Sequence, residues 1–374
     1  MKLVITATNS VTAVGNSSEM TASSVRAGIS RLSKRENTLD SEGNPISTAP
    51  ICNSTDTQEE ASLETNTIES TDSDDYKEYE GEDVEVSLIT QIAKYCLSTL
   101  LDQYFSNSAS TNIDIYILLG TASKSRPGPR YEGNNEELCK VLKNIALKNA
   151  SHVKCGIIPT GNASTLACIQ KAQQILTTNT NALCIIGGID SLLADRTLQW
   201  YEDNERLKSE TFGRQHGFSP GEAVAFTIVE SERGAYRRNK KPMVEISGIG
   251  IADEPAPFLS EEPSTGEGLT TACQEALYEK ENLQKEITTV LSDLNGEYFS
   301  MKEWSYTEIR CFNKNDIKFM HPADCLGSVG AASGTVLINI AAIGLLHGWI
   351  KNTCLIFCSD DGPQRGALVL KRWN

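Results

Sequence analysis

The sequence is poor in cations, aromatics and histidine, and each shortage excludes something. Its 34 Lys+Arg stand against 49 Asp+Glu, a formal charge of −15 over 374 residues. Phosphate contacts need a clustered cationic surface, so non-specific binding to nucleic acid or to an anionic membrane is excluded. Aromatic residues make up 6% and histidines number four. The eleven cysteines are odd in number, scattered, and never spaced as CxxC, so neither a disulfide framework nor a zinc site is expected. Several lie in apolar runs, as at residues 182–186 and 354–358. They read as reduced, buried thiols acting as small hydrophobes, which suits a cytoplasmic protein. Nothing in the pattern calls for a metal or a cofactor.

Long uninterrupted apolar runs are also scarce. The opening run at residues 1–8 is too brief for a signal h-region and reads as a strand. The longest apolar stretch, residues 331–350, contains Ser333, Thr335, Asn339 and His347 and many small residues. It reads as a buried core helix and no membrane span is expected. Residues 53–85 form an acidic low-complexity insertion, too poor in apolar residues to offset its ordering entropy. Thirteen acids and one base lie between residues 56 and 85, which leaves only about −3 on the rest of the chain. The charge therefore marks one segment, which solubilises the protein or steers a basic partner.

Elsewhere short apolar strands alternate with helical patterns. Strands are expected over residues 2–6, 46–52, 113–119, 182–187, 223–229, 244–249, 288–292, 353–357 and 367–370. Helices are expected over 18–27, 87–104, 135–147, 163–176, 269–278, 301–310 and 326–346. Glycine-punctuated strands with helices between them predict an α/β fold with layered sheets. The order appears twice, over residues 1–235 and 243–374. Each half closes with a long small-residue helix, an apolar strand, a Gly/Asp loop and a final strand.

Several segments together carry a family resemblance. Thr160-Gly-Asn-Ala-Ser-Thr-Leu-Ala-Cys-Ile169 is a turn into a long helix, followed by a strand that ends in Gly187-Gly188 and Ser191. Gly217-Phe-Ser-Pro-Gly-Glu222 precedes the last strand of the first half, and Ala323-Asp-Cys-Leu-Gly-Ser-Val-Gly-Ala-Ala332 opens the last long helix. Ser10-Val-Thr-Ala-Val-Gly15 and Ser24-Val-Arg-Ala-Gly28 stand near the start. In this order they resemble the β-ketoacyl synthase branch of the thiolase-like superfamily. The resemblance implies a thiolase-like five-layered αβαβα fold of duplicated half-domains, usually dimeric. Residues 287–374, with Asp293-Leu-Asn-Gly-Glu297, Glu303-Trp304 and His321-Pro-Ala-Asp324, resemble most a divergent group associated with bacterial type VI secretion clusters.

The resemblance also implies a Cys-His-His site that this chain does not keep. Asn162 stands at the nucleophile position, and an amide cannot form an acyl-thioester. Asn295 falls within the stretch that matches the first histidine motif, and Asp324 stands at the second histidine. Cys155, Cys168, His216 and His321 lie near these motifs without occupying the matching positions. No catalytic residue is expected. The possible pocket or interaction residues are His321, His216, Glu222, Asp293, Glu297, Arg126 and Arg130. Asp293, Glu297, Asp324, Asp360 and Asp361 share one expected face, where an acidic cluster binds a cation or merely supplies turns and caps. Arg126 and Arg130 read a partner carboxylate or a phosphopantetheine phosphate, or lie on a solvated loop. The basic run Arg237-Arg-Asn-Lys-Lys241 reads as a solvated linker.

Three functions remain open. The first is a non-catalytic synthase-like accessory protein, homo- or heterodimeric, that loads a secretion effector or adaptor. The second is a residual acyl-thioester enzyme, a malonyl decarboxylase or acyltransferase. The third is an inactive partner subunit of a true ketosynthase.

Overall fold

The structure is a computed structural model that describes residues 1–51, 80–106, 113–124, 126, 135–210, 214–278, 283–312 and 317–373. The first half of the chain contains β1 (Leu3–Thr12), α1 (Ser18–Ala27), β2 (Ser33–Leu39), β3 (Pro45–Thr48), α2 (Glu80–Phe105), β4 (Asp114–Gly120), α3 (Asn135–Ala146) and β5 (His152–Ile158). It continues with α4 (Ser164–Thr178), β6 (Leu183–Ser191), α5 (Asp195–Asp203), β7 (Glu222–Ser231) and α6 (Glu232–Arg237). The second half contains β8 (Val244–Asp253), α7 (Glu267–Tyr278), α8 (Leu283–Glu286), β9 (Ile287–Ser292), α9 (Tyr298–Cys311) and β10 (Lys318–Met320). It ends with α10 (Ala323–Leu326), α11 (Ser333–Leu346), β11 (Thr353–Ser359) and β12 (Gln364–Arg372).

Ten strands join in the order β10-β9-β11-β12-β8-β1-β7-β6-β4-β5. Read outward from the centre, each half repeats the other. β1 and β8 pair antiparallel at the seam, through Leu3↔Ile246 and Ile5↔Val244. β7 and β12 then pair antiparallel to β1 and β8, and β6 and β11 antiparallel to those. The outer three strands of each half run parallel.

Alternation along the strands builds the layers. On β6, Cys184 and Ile186 face the central core, while Leu183 and Ile185 face a second core under α2 and α3. On β11, Cys354, Ile356 and Cys358 face the same central core, and Leu355 and Phe357 face a third core beneath α7 and α9. Helices α4 and α11 fill the centre. The result is the five-layered αβαβα arrangement of duplicated half-domains, and the cysteines within these strands do pack as small hydrophobes.

The apolar stretch at 331–350 is mainly α11, buried at every position from Ser333 to Leu345. Its Asn339 is satisfied: the amide donates to the Asn9 carbonyl at 3.0 Å and to the Phe226 carbonyl at 3.3 Å, and its oxygen accepts from Thr227. Among the described residues no helix is long and apolar enough to cross a membrane.

Several sequence expectations need correction: β2, β10 and α5 were not expected, and the strand expected over 46–52 ends at Thr48. The helix expected over 326–346 breaks after α10, because Gly327 and Gly330 take φ of +71° and +52°. The strand β5 was not expected, since His152, Lys154 and Gly156 interrupt its apolar pattern. The basic run at 237–241 is not a solvated linker. Arg238 is buried and pairs with the Glu230 carboxylate, and Lys240 donates to the Tyr104 carbonyl. Of the acidic insertion, residues 53–79 lie outside the described residues, and α2 already begins at Glu80.

Candidate functional site

Two short turns open the central helices. Gly161–Ala163 forms a 3-10 turn into α4, and Gly330–Ala332 forms the matching turn into α11. Gly161 and Gly330 both have positive φ, +61° and +52°. Each is also pressed by a carboxylate from the other half. A Cβ on Gly161 would stand 1.7 Å from Asp360 Oδ1, and one on Gly330 would stand 2.1 Å from Asp190 Oδ2. The halves thus exchange acids. Asp360, after β11, accepts from the Asn162 N–H at 3.2 Å, and Asp190, at the end of β6, accepts from the Ala331 N–H at 2.7 Å. Arg126 holds Asp190 through two bonds, at 2.8 and 2.6 Å.

The symmetry ends at the side chains. Ala331 has no polar group, whereas Asn162 Nδ2 donates to Asp293 Oδ2 at 3.0 Å. Asp293 follows β9 and also accepts from the Ser359 N–H, at 3.3 and 3.1 Å. The residue keeps some exposed surface, but its carboxyl lies against protein, and burial pushes it up to about 7. The hydrogen bonds from Asn162 and Ser359 pull the other way and are weaker. Burial, then the neighbouring Asp361 charge, pushes Asp360 up to about 6.

A cavity of about 130 Å³ adjoins this turn, lined by Ser123, Arg126, Gly161, Asn162, Trp200, Tyr201, Pro257, Leu259, Asp360, Asp361 and Gly362. Ordinary small-molecule sites enclose about 300–1,000 Å³, so this space admits a few non-hydrogen atoms. Arg206 closes its acidic side. The guanidinium donates to Glu297 at 2.7 and 2.9 Å and to Asp361 at 2.8 and 2.8 Å. It also lies 4.0 Å from the Phe258 ring centre and 5.0 Å from that of Tyr201. Burial opposes its charge, but Asp361 and Glu297 outweigh burial and hold it protonated. Sequence reasoning missed Arg206; the neighbouring Trp200-Tyr201 and Phe218 were the available signal.

The structure brings some expected site residues together and separates others. Asn162, Asp293, Asp360, Asp361, Glu297 and Arg126 form one connected group. The side chain that meets Asn162 is Asp293, two positions before Asn295. Asn295 instead donates to Glu297 at 3.0 Å and accepts from its N–H at 3.2 Å. Asp324 does not join the group. Its side chain is 74% exposed and pairs with His321 at 2.8 Å. His216 is exposed. Glu222 is structural, accepting from the Ile51 N–H at 2.8 Å and from Ser191 Oγ at 2.9 Å. The Arg126 side chain is not solvated but paired with the buried Asp190, and Arg130 lies outside the described residues. Among the described residues, no three His, Cys, Asp or Glu side chains are grouped to hold a metal.

Among the described residues no thiol enters this arrangement. Cys168 is buried inside α4 and Cys358 inside β11, and burial pushes both thiols well up. A buried thiol is a poor nucleophile.

No family model matches the sequence, and no curated protein matches it. Solved structures match its fold over the whole chain. A β-ketoacyl synthase from Burkholderia phymatum is 15% identical, with both chains covered in full and a TM-score of 0.71. A chain of the ketosynthase ApeO in complex with its chain length factor ApeC, from Xenorhabdus doucetiae, is 12% identical at a TM-score of 0.70. That match covers 100% of this chain and 98% of the other. A chain of the ishigamide ketosynthase/chain length factor is 12% identical at 0.72, covering 100% and 99%. The likeness shows the fold: the protein has a ketosynthase-like fold.

Proposed function

We propose that the protein is a non-catalytic ketosynthase-like subunit that works by pairing with another chain. The observation that carries this reading is the Asn162–Asp293 hydrogen bond. The sequence resemblance sets Asn162 at the nucleophile position of a synthase, and an amide tied to a carboxyl supports a site without a thiolate. The small cavity beside them supports the same reading, because an acyl-pantetheine arm needs far more room.

Two observations support an assembly role. Among the described residues β5 pairs only with β4, so it forms a sheet edge to which a second strand could add. Solved structures of like fold include a ketosynthase bound to its chain length factor. The partner in this reading is a cysteine-bearing ketosynthase. The secretion effector or adaptor rests on the sequence resemblance alone, with no structural observation favouring it, and cytoplasmic placement rests on the thiols.

Co-expression with each cysteine-bearing ketosynthase of the same genome, followed by native mass spectrometry, tests the proposal. A one-to-one heterodimer with one of them is the expected result. A protein that remains alone or forms only a homodimer with all of them contradicts it.

A further inference from the structure

Away from this site, α3 and β5 hold two thiols against each other. Cys139 Sγ and Cys155 Sγ are 2.8 Å apart. Both are half-buried and line an open groove of about 450 Å³ that Lys140 and Lys143 also line. The separation discriminates between uses of a thiol pair. A metal bridging two thiolates at about 2.3 Å each holds the sulfurs close to 4 Å apart. A disulfide needs about 2.05 Å, a short approach from the observed contact.

We propose that Cys139 and Cys155 form a dithiol modification site that a small peroxide oxidises to a disulfide joining α3 to β5. Cys139 is the attacking thiol. Its S–H is acidified chiefly by the hydrogen bond from Cys155, against burial, with help from the Lys143 ammonium. Cys155 is pushed the other way by that same bond and by burial, and stays protonated as the resolving thiol.

The Cys139 thiolate attacks a peroxide oxygen, forming S–O and breaking O–O. For hydrogen peroxide the leaving hydroxide takes a solvent proton and departs as water. The Cys155 sulfur then attacks the sulfenic sulfur, forming S–S and breaking S–O. The Cys155 proton leaves with that hydroxide as a second water. Two electrons pass from the thiol pair to the peroxide. The groove admits the oxidant, whereas the other eight cysteines of the described residues are buried.

The reduced full chain, treated with hydrogen peroxide, alkylated and peptide-mapped, tests this. A Cys139–Cys155 linked peptide, two hydrogens lighter and reopened by dithiothreitol, is expected. In Cys155→Ser, dimedone is expected to label Cys139; in Cys139→Ser, Cys155 is expected to stay unlabelled. Full alkylation of both thiols after peroxide overturns the proposal, and so does a disulfide mapped to any other pair. Equal dimedone labelling of the two single variants overturns the assignment of Cys139 as attacker.

Discussion

Gly161→Ala tests the turn that presents Asn162. The residue has φ +61°, and its added Cβ would stand 1.7 Å from Asp360 Oδ1. Left-handed strain in a non-glycine residue costs about 1–3 kcal/mol, and the clash adds to it. A loss of at least about 2 kcal/mol in urea unfolding is expected, with part recovered in an Asp360→Ala background. An additive pair of variants would show that the two residues do not press on each other.

Asp293 and Asp360 add a pH dependence whose sign is fixed. Both carboxyls are raised on folding from 3.8, to about 7 and about 6. The folded state therefore holds protons that the unfolded chain has released, so stability falls as pH rises from 3.8 to about 7. Asp293→Asn keeps an oxygen for the Ser359 N–H and removes its share of that fall. The stability difference between Asp293→Asn and the native chain should grow in the variant's favour up to about pH 7 and then level off. Thermal melts across pH 4–8 measure it, and a difference that is constant with pH would contradict the burial of this carboxyl.

That Asn162 opens the turn into α4 was legible in the sequence, because one motif places that residue. The carboxyl that faces it was less so. Counting along the loop after β9 pointed to Asn295, but the strand's pitch directs Asp293 inward and leaves Asn295 to cap Glu297.

At the scale of elements, α9 is tied to β12 by Glu303 and Arg365, whose side chains are both fully buried and 2.8 Å apart. Arg365 also donates to the Asp360 and Gly362 carbonyls at 2.7 Å, so the same pair fixes the loop that carries Asp360. Removing one partner of a buried ion pair costs about 3–5 kcal/mol, because the other charge stays buried alone. Glu303→Leu and Arg365→Met should each lose about that much in denaturant unfolding. The double variant should recover most of it, and two additive losses would mean that the residues are not coupled.

Elements were read correctly where caps or a continuous apolar run marked them. The helix α1 matches its expected bounds, with Ser17 accepting from the Met20 N–H at its start and Gly28 at φ +69° after its end. Strands β6, β7, β8 and β11 fall where short apolar runs placed them. Failures have local causes. β5 is an edge strand whose exposed His152 and Lys154 hide its periodicity. The run from Leu326 onward looked continuous because the break at Gly327 and Gly330 is marked only by small residues, Ser328 among them.

At the scale of the whole molecule, duplication was visible as a repeated order of segments with little residue identity. The exchange of acids between halves was not visible, because Asp190 and Asp360 meet Ala331 and Asn162 only once the halves pack together. Each carboxylate accepts a backbone N–H from the opening turn of the other half's helix, so both turns are held by contacts that need no thiol or histidine.

The direct measurement is thiol release from a malonyl thioester by the purified chain, alone and as Asn162→Ala. A rate no higher than that of the thioester without protein is expected for both. Turnover by the native chain that disappears in Asn162→Ala would contradict a non-catalytic subunit.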